Sequence, residues 1–143
     1  MHGRETYKAR CCSCKNRNSK KAGTITPFLK KVLIIDDDPD ITLAFKLGLD
    51  SYYYYENKRR FEVYIYNNPL VALSEFKPNF YDLLLTDVNM PHINGFELSQ
   101  EILELDSNIK VCYMSAVDVN IESLRQVYPK VSFGSFIKKS PLK

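Results

Sequence analysis

The sequence has no apolar run approaching the ~20 residues needed to cross a bilayer, and its basic start lacks the apolar centre of a secretion signal. These two absences point to a soluble cytoplasmic protein with no membrane insertion. Histidine is scarce: only His2 and His92 occur. Cys11, Cys12 and Cys14 stand close together, but a structural zinc site wants four ligands in paired spacing, and only His2 is near them. Cys112 lies in an apolar run and reads as a small buried hydrophobe. There is no internal repeat.

What is present suits one domain of 143 residues with apolar content enough for a core. The net charge of +3 hides an asymmetry. Residues 1–31 carry nine Lys or Arg against Glu5 alone, a charge of +8, whereas the remainder carries eleven basic and sixteen acidic residues, a charge of −5. Residues 1–30 are therefore predicted to be a basic, disordered arm and 31–143 the folded domain. The arm's charge permits contact with nucleic acid, although no feature beyond charge supports it.

From Lys31 onward, strand-like and helix-like stretches alternate. "VLII", Val32 to Ile35, is a continuous apolar run rich in β-branched residues, the pattern of a strand buried on both faces of a parallel sheet. Ile41, Ala44, Phe45, Gly48 and Leu49 then recur at helical spacing behind Asp38-Pro39, an N-cap carboxylate followed by proline at the first helical position. The tract "SYYYYENKRR" either lengthens this helix or forms a loop. Phe61 to Tyr66 alternates as a second strand, and Asn68-Pro69 opens a short helix through Phe76, ended by Pro78. Asp82 to Thr86 reads as the third strand, with Asp87 at its carboxyl end. Met90-Pro91 and Asn94-Gly95 mark a loop before a helix from Phe96 to Leu105. "IKVCYMSA" supplies a fourth strand ending at Ser115, Asp118 to Val127 a helix closed by Pro129, and "FGSFIKKSP" a fifth strand. Five strands separated by four helices predict an α/β fold with a doubly wound parallel sheet.

"VLIIDDDPDI" aims three consecutive acids past the end of the first strand. Asp38 and Asp40 are accounted for by the start of a helix, which leaves Asp36 and Asp37. With the first and third strands adjacent at the switch point of such a sheet, Asp36, Asp37 and Asp87 converge on one rim. Three carboxylates with a nearby carbonyl suit Mg²⁺, which takes oxygen ligands. The fourth strand brings Ser115 to the same rim and the fifth brings Lys138 and Lys139, a hydroxyl and an ammonium able to bind a phosphoryl group.

Five motifs in order, "IIDDD", "LLLTDVNMP", "NGFEL", "YMSA" and "FIKKSP", together resemble the receiver domain of two-component response regulators, the family of the chemotaxis regulator, over roughly Lys31 to Pro141. The resemblance implies a flavodoxin-like sheet with Asp87 as phosphoacceptor. It implies Mg²⁺ held by Asp36, Asp37, Asp87 and the main-chain carbonyl of Asn89, with Ser115 and Lys139 binding the phosphoryl group. Ser115 and Phe136 would move together as the switch. Lys139 is selected over Lys138 because the family's lysine stands three residues after the aromatic switch position, which Phe136 fills. Two departures stand out: Ser140 separates Lys139 from Pro141, where the family has proline directly, and the chain stops at Lys143, where the family places a fifth helix. A sheet lacking its last helix is expected: either the chain is truncated, or its exposed apolar face is covered by another chain or by the arm.

The expected function is that of a single-domain response regulator in a phosphorelay. It would accept a phosphoryl group from a sensor histidine kinase or a phosphotransfer protein and switch its binding to a separate output protein. It would not be an enzyme beyond self-phosphorylation from a donor and autodephosphorylation. One alternative is a phosphorylation-independent interaction module on a degenerate receiver fold. Another is an Asp-nucleophile phosphohydrolase of the haloacid dehalogenase type using Asp36 and Asp38, although Asp40 stands where that family expects Thr or Val.

Overall fold

A computed structural model describes residues 29–56, 60–129, 131 and 135–139, with the side chains of 52–56 outside that description. The apolar runs form β1 (Lys30–Ile35), β2 (Phe61–Tyr66), β3 (Leu83–Asp87), β4 (Lys110–Ser115) and β5 (Phe136–Lys138). Between them lie α1 (Pro39–Glu56), α2 (Pro69–Ser74), α3 (Gly95–Leu105) and α4 (Ile121–Val127). All strand pairs are parallel, in the order β2-β1-β3-β4-β5. The chain steps outward from β1 in one direction to β2 and in the other to β3, so the reversal opens a crevice at the carboxyl ends of β1 and β3. This is the doubly wound, flavodoxin-like sheet that the sequence predicts. Among the described residues no helix follows β5, and no helix is long and apolar enough to cross a membrane.

Strand alternation divides the core. Leu33, Ile35 and Leu84 face α2 and α3, where they meet Ala72, Leu98 and Ile102. Val32, Ile34, Leu85, Cys112 and Met114 point the other way and form a cluster with Ile41, Phe45 and Leu49 of α1. A third cluster of Val88, Phe96, Tyr113 and Val131 reaches α4 through Leu124 and the following Tyr128. Burial pushes the Tyr113 phenol up to about 12, so it stays neutral while its hydroxyl pairs with Ser99 at 2.6 Å.

Several boundaries differ from those read in the sequence. Lys30, assigned to the arm, opens β1: its N–H donates to Arg60 O at 2.9 Å. Asp82 stands one residue before β3: its N–H donates to Lys31 O at 2.9 Å, and its carboxylate accepts from the N–H of Lys31 at 2.9 Å and from Lys30 Nζ at 3.3 Å. The short helix ends at Ser74 rather than Phe76, as the N–H of Phe76 turns back to Leu73 O at 3.3 Å. Asp118 lies outside α4, which starts after Asn120, whose side chain accepts from the N–H of Ser123; Asp118 instead pairs with Lys138. The tyrosine tract lengthens α1, whose backbone runs to Glu56. Cys11, Cys12, Cys14, Ser140 and Pro141 lie outside the described residues.

Leu98 is fully buried between sheet and helix, whereas Leu47 of α1 is 60 % exposed. Urea unfolding should show Leu98→Ala costing about 3 kcal/mol and Leu47→Ala within about 0.5 kcal/mol of the parent. Equal losses would contradict this placement of the core.

Candidate functional site

Each carboxylate at the rim is delivered by backbone geometry. The N–H of Asp36 donates to Tyr66 O at 3.2 Å, which extends the β1–β2 pairing one step past the strand. Its carbonyl accepts from Asn67 Nδ2 at 2.8 Å, and the same amide reaches Thr42 Oγ1 at 3.0 Å, tying the end of β1 to the first turn of α1. Asp36 Oδ1 accepts from the N–H of Asp38 at 2.9 Å, and Asp38 Oδ1 accepts from the N–H of Asp40 at 2.9 Å. Asp38 is thus the cap of α1 and stands outside the acidic group. That leaves the Asp36–Asp38 pairing of the dehalogenase alternative without its second acid.

Asp87 ends β3, and the loop after it folds back closely. The N–H of Val88 donates to Met114 O at 3.0 Å and that of Gly95 to Val88 O at 2.8 Å. A Cβ on Gly95 would lie 2.1 Å from Asp87 O, so only glycine fits there. Asn94 then caps α3, accepting from the N–H groups of Phe96 and Glu97 while Glu97 reaches back to the N–H of Asn94.

Asp36, Asp37 and Asp87 each present an oxygen within 4.8 Å of the others. Asp36 and Asp87 are buried and Asp37 is exposed. Lys139 enters this group from the end of β5, its ammonium 2.6 Å from Asp36 Oδ2 and 2.9 Å from Asp87 Oδ1. Its own N–H donates to Ser115 O at 2.8 Å, which fixes the lysine to the end of β4. Lys138, the other candidate, is exposed and pairs with Asp118 at 3.2 Å.

Burial raises the Asp36 carboxyl, against the lowering effect of Lys139 and of the Asp38 N–H. Burial raises Asp87 as well, opposed by Lys139 and by the N–H of Asn89, with the Asp37 charge adding to the rise. For Lys139 burial alone would lower the ammonium, but the two carboxylates outweigh it and the net direction is up. The donor set, three carboxylates with two of them buried, consists of hard oxygens of the kind Mg²⁺ prefers, and an exposed Asp37 leaves one side open to water.

Ser115 is buried at the end of β4, and its hydroxyl donates to Val117 O at 2.8 Å, within its own loop. The Phe136 ring lies 5.3 Å from Tyr113 and 6.3 Å from Phe96. Asn89 is exposed and engages Asp87 through its N–H. The sequence reading missed Asn67 and the close approach at Gly95. An Asn-Asn-Pro run draws attention to the capping Asn68, and a contact between Gly95 and the strand end eight residues earlier has no periodic signature.

Comparisons with known proteins agree with this fold. The family model for the response regulator receiver domain matches residues 32–141. The sensor protein EvgS of Escherichia coli O157:H7 is 34% identical over 90 residues, 63% of this chain, but the chain spans only 7% of that protein. The response regulator receiver protein CpdR of Brucella abortus is 28% identical over 98 residues, covering 66% of this chain and 76% of CpdR. TrrA of Thermotoga maritima, solved with Mg²⁺-BeF, superposes with a TM-score of 0.61 at 24% identity over 79% of this chain and 89% of that one. TrrA in complex with the histidine kinase ThkA gives 0.60 at 25% identity, covering 78% and 87%.

Substitutions in this cluster have predictable signs. Gly95→Ala should cost about 3 kcal/mol through the clash with Asp87 O. Lys139→Met strands two buried carboxylates and should cost about 3 kcal/mol near neutral pH, while Asp87→Asn, which removes a desolvated charge, should match or exceed the parent in stability. Asp36 and Asp87 are both raised above 3.8. Their contribution is therefore fully present below 3.8 and lost as pH rises through the raised values. The Lys139→Met penalty should accordingly shrink on acidification through that window, and a pH-independent penalty in urea melts would contradict the pairing.

Proposed function

This chain belongs to the response regulator receiver family, and we propose that within two-component signalling it accepts a phosphoryl group on Asp87 from a phosphohistidine donor. The observation that carries the reading is the ammonium of Lys139 bridging Asp36 and Asp87 beside the exposed Asp37. Residues 30–143 are taken as the receiver, since Lys30 belongs to β1, and the residues before them as the arm. The donor would be a sensor histidine kinase or a phosphotransfer protein, in keeping with the ThkA–TrrA complex, and the setting cytoplasmic.

In the transfer, an Asp87 oxygen attacks phosphorus in line with the donor nitrogen. The P–N bond breaks, its electron pair stays on the imidazole, and the donor nitrogen takes up a proton. A carboxylate attacking an anionic phosphoryl group meets strong repulsion, and Lys139 offsets part of it. Asp36, Asp37 and Asp87, with the main-chain carbonyl of Asn89, would hold Mg²⁺; when bound it supplies the positive charge that screens nucleophile from donor. Asp36 is kept in place by the N–H of Asp38 and by Asn67, so its oxygens do not swing away.

The acyl phosphate adds charge of about −1.5 to −2 at a buried strand end. Lys139 already faces that point. Ser115 must exchange its bond to Val117 O for one to the phosphoryl oxygen, moving the 115–117 loop toward Asp87. Phe136, packed beside Tyr113, then follows into the space the loop vacates. A separate output protein would read this population shift.

Incubation with phosphoramidate followed by intact-mass measurement tests the reading. One phosphoryl adduct should form with Mg²⁺ and be lost in Asp87→Asn. A folded protein without an adduct would favour a phosphorylation-independent interaction module, and an adduct retained in Asp87→Asn would move the acceptor elsewhere.

A further inference from the structure

The two lysines at the end of β5 serve different partners. Lys139 reaches the carboxylates of the crevice, whereas Lys138 pairs with Asp118 at 3.2 Å. Asp118 lies in the loop that follows β4, so this pair ties that loop to the last residue of β5. In the ladder Asp87 stands opposite Met114 and Lys138 opposite Ser115. The strand order β3-β4-β5 therefore puts Asp87 and Lys138 on opposite sides of the strand that carries the loop. A pull on Asp118 toward Lys138 is a pull away from Asp87.

Little else holds the loop. Ala116, Val117 and Asp118 are all exposed, Val117 at 62 %. A cavity of about 180 Å³ is lined by Ser115, Val117 and Asp118 from the loop side and by Phe136 and Lys138 of β5, so loop and strand are not packed together there. The chain is next anchored at Val119, against the cluster of Val88, Phe96 and Tyr113, and α4 beyond it has no buried residue. Among the described residues, side chains restrain 116–118 in two ways. The Ser115 hydroxyl donates to Val117 O at 2.8 Å and accepts from the Val117 N–H at 3.3 Å, both within the loop itself. The ion pair of Asp118 with Lys138 is the restraint that reaches another element. A segment held so lightly opens at small cost, and an ion pair of ordinary surface strength then shifts its population about threefold.

We infer that the Lys138–Asp118 ion pair is a strap that holds residues 116–118 toward β5 and so brakes the movement of the Ser115 loop toward Asp87. The inference rests on the reading of Asp87 as the phosphoacceptor, with Ser115 turning to the phosphoryl group. Neighbouring lysines then act on the switch in opposite senses. Lys139 faces the phosphoryl group and favours the closed loop, and Lys138 keeps the loop open until it is drawn away.

Amide exchange and phosphorylation of the full chain test this together. In the unphosphorylated protein the Val117 N–H, which donates to the Ser115 hydroxyl, should exchange about threefold faster in Asp118→Asn and in Lys138→Met, with the circular dichroism spectrum unchanged. With phosphoramidate and Mg²⁺, both variants should gain the adduct about threefold faster than the wild type. The two substitutions change the net charge in opposite directions. A general effect on an anionic donor would therefore move the two rates apart, whereas release of the strap moves them together. The double variant should go no faster than either single one. Unchanged exchange at Val117, adduct rates that stay at the wild-type value or diverge, or effects that multiply in the double variant overturn the inference. If no form of the protein gains the adduct, the acceptor reading of Asp87 is what fails, and exchange at Val117 alone decides whether the pair holds the loop.

Discussion

The ammonium of Lys139, 2.6 Å from Asp36 and 2.9 Å from Asp87, is the contact on which the carboxyl edge of the sheet depends. Two buried carboxylates repel, and each resists leaving water, so burial drives both toward the protonated form. One cation between them opposes that drive. The same burial would push the lysine toward its neutral form were it alone. The two carboxylates together hold Lys139 in its charged state, whereas of the three ions only Lys139 works against the upward shift of each carboxylate.

Such an arrangement needs three strand ends fixed relative to one another, which the parallel ladder provides. Asp36 is carried by β1, Asp87 by the neighbouring β3, and Lys139 follows β5, itself bonded to β4 through the N–H of Lys139 and Ser115 O. The contact at Gly95, where a Cβ would meet Asp87 O, draws the loop after β3 tightly under the cluster. Ser115 belongs to this frame through its backbone, while its hydroxyl bonds within its own loop to Val117 O. The ring contacts of Phe136 with Tyr113 and Phe96 run from the same point toward α3 and α4.

Much of this was legible in the sequence because buried parallel strands leave a strong mark. "VLII" and "LLL" are runs that suit burial on both faces, and the acids following them lie at strand ends by necessity. Caps were legible for the same local reason: Asp38 and Asn68 satisfy N–H groups within three residues of themselves. What escaped depends on distant partners. Asp118 looked like a helix start until Lys138, 20 residues on, claimed its carboxylate. The bond from the N–H of Lys31 to the Asp82 carboxylate joins residues 51 positions apart. The direction of the Ser115 hydroxyl and the role of Asn67 are settled by tertiary contacts and leave no trace in composition or period.

The central claim is that Asp87, not Asp36 or Asp37, becomes the acyl phosphate. Borohydride reduces an acyl phosphate to the alcohol and releases inorganic phosphate, leaving homoserine where the aspartyl phosphate stood. Treating the phosphoramidate-reacted protein in this way and sequencing its peptides by mass spectrometry should find homoserine at position 87 alone. Homoserine at 36 or 37, or at no position in a folded and Mg²⁺-supplied protein, would contradict it.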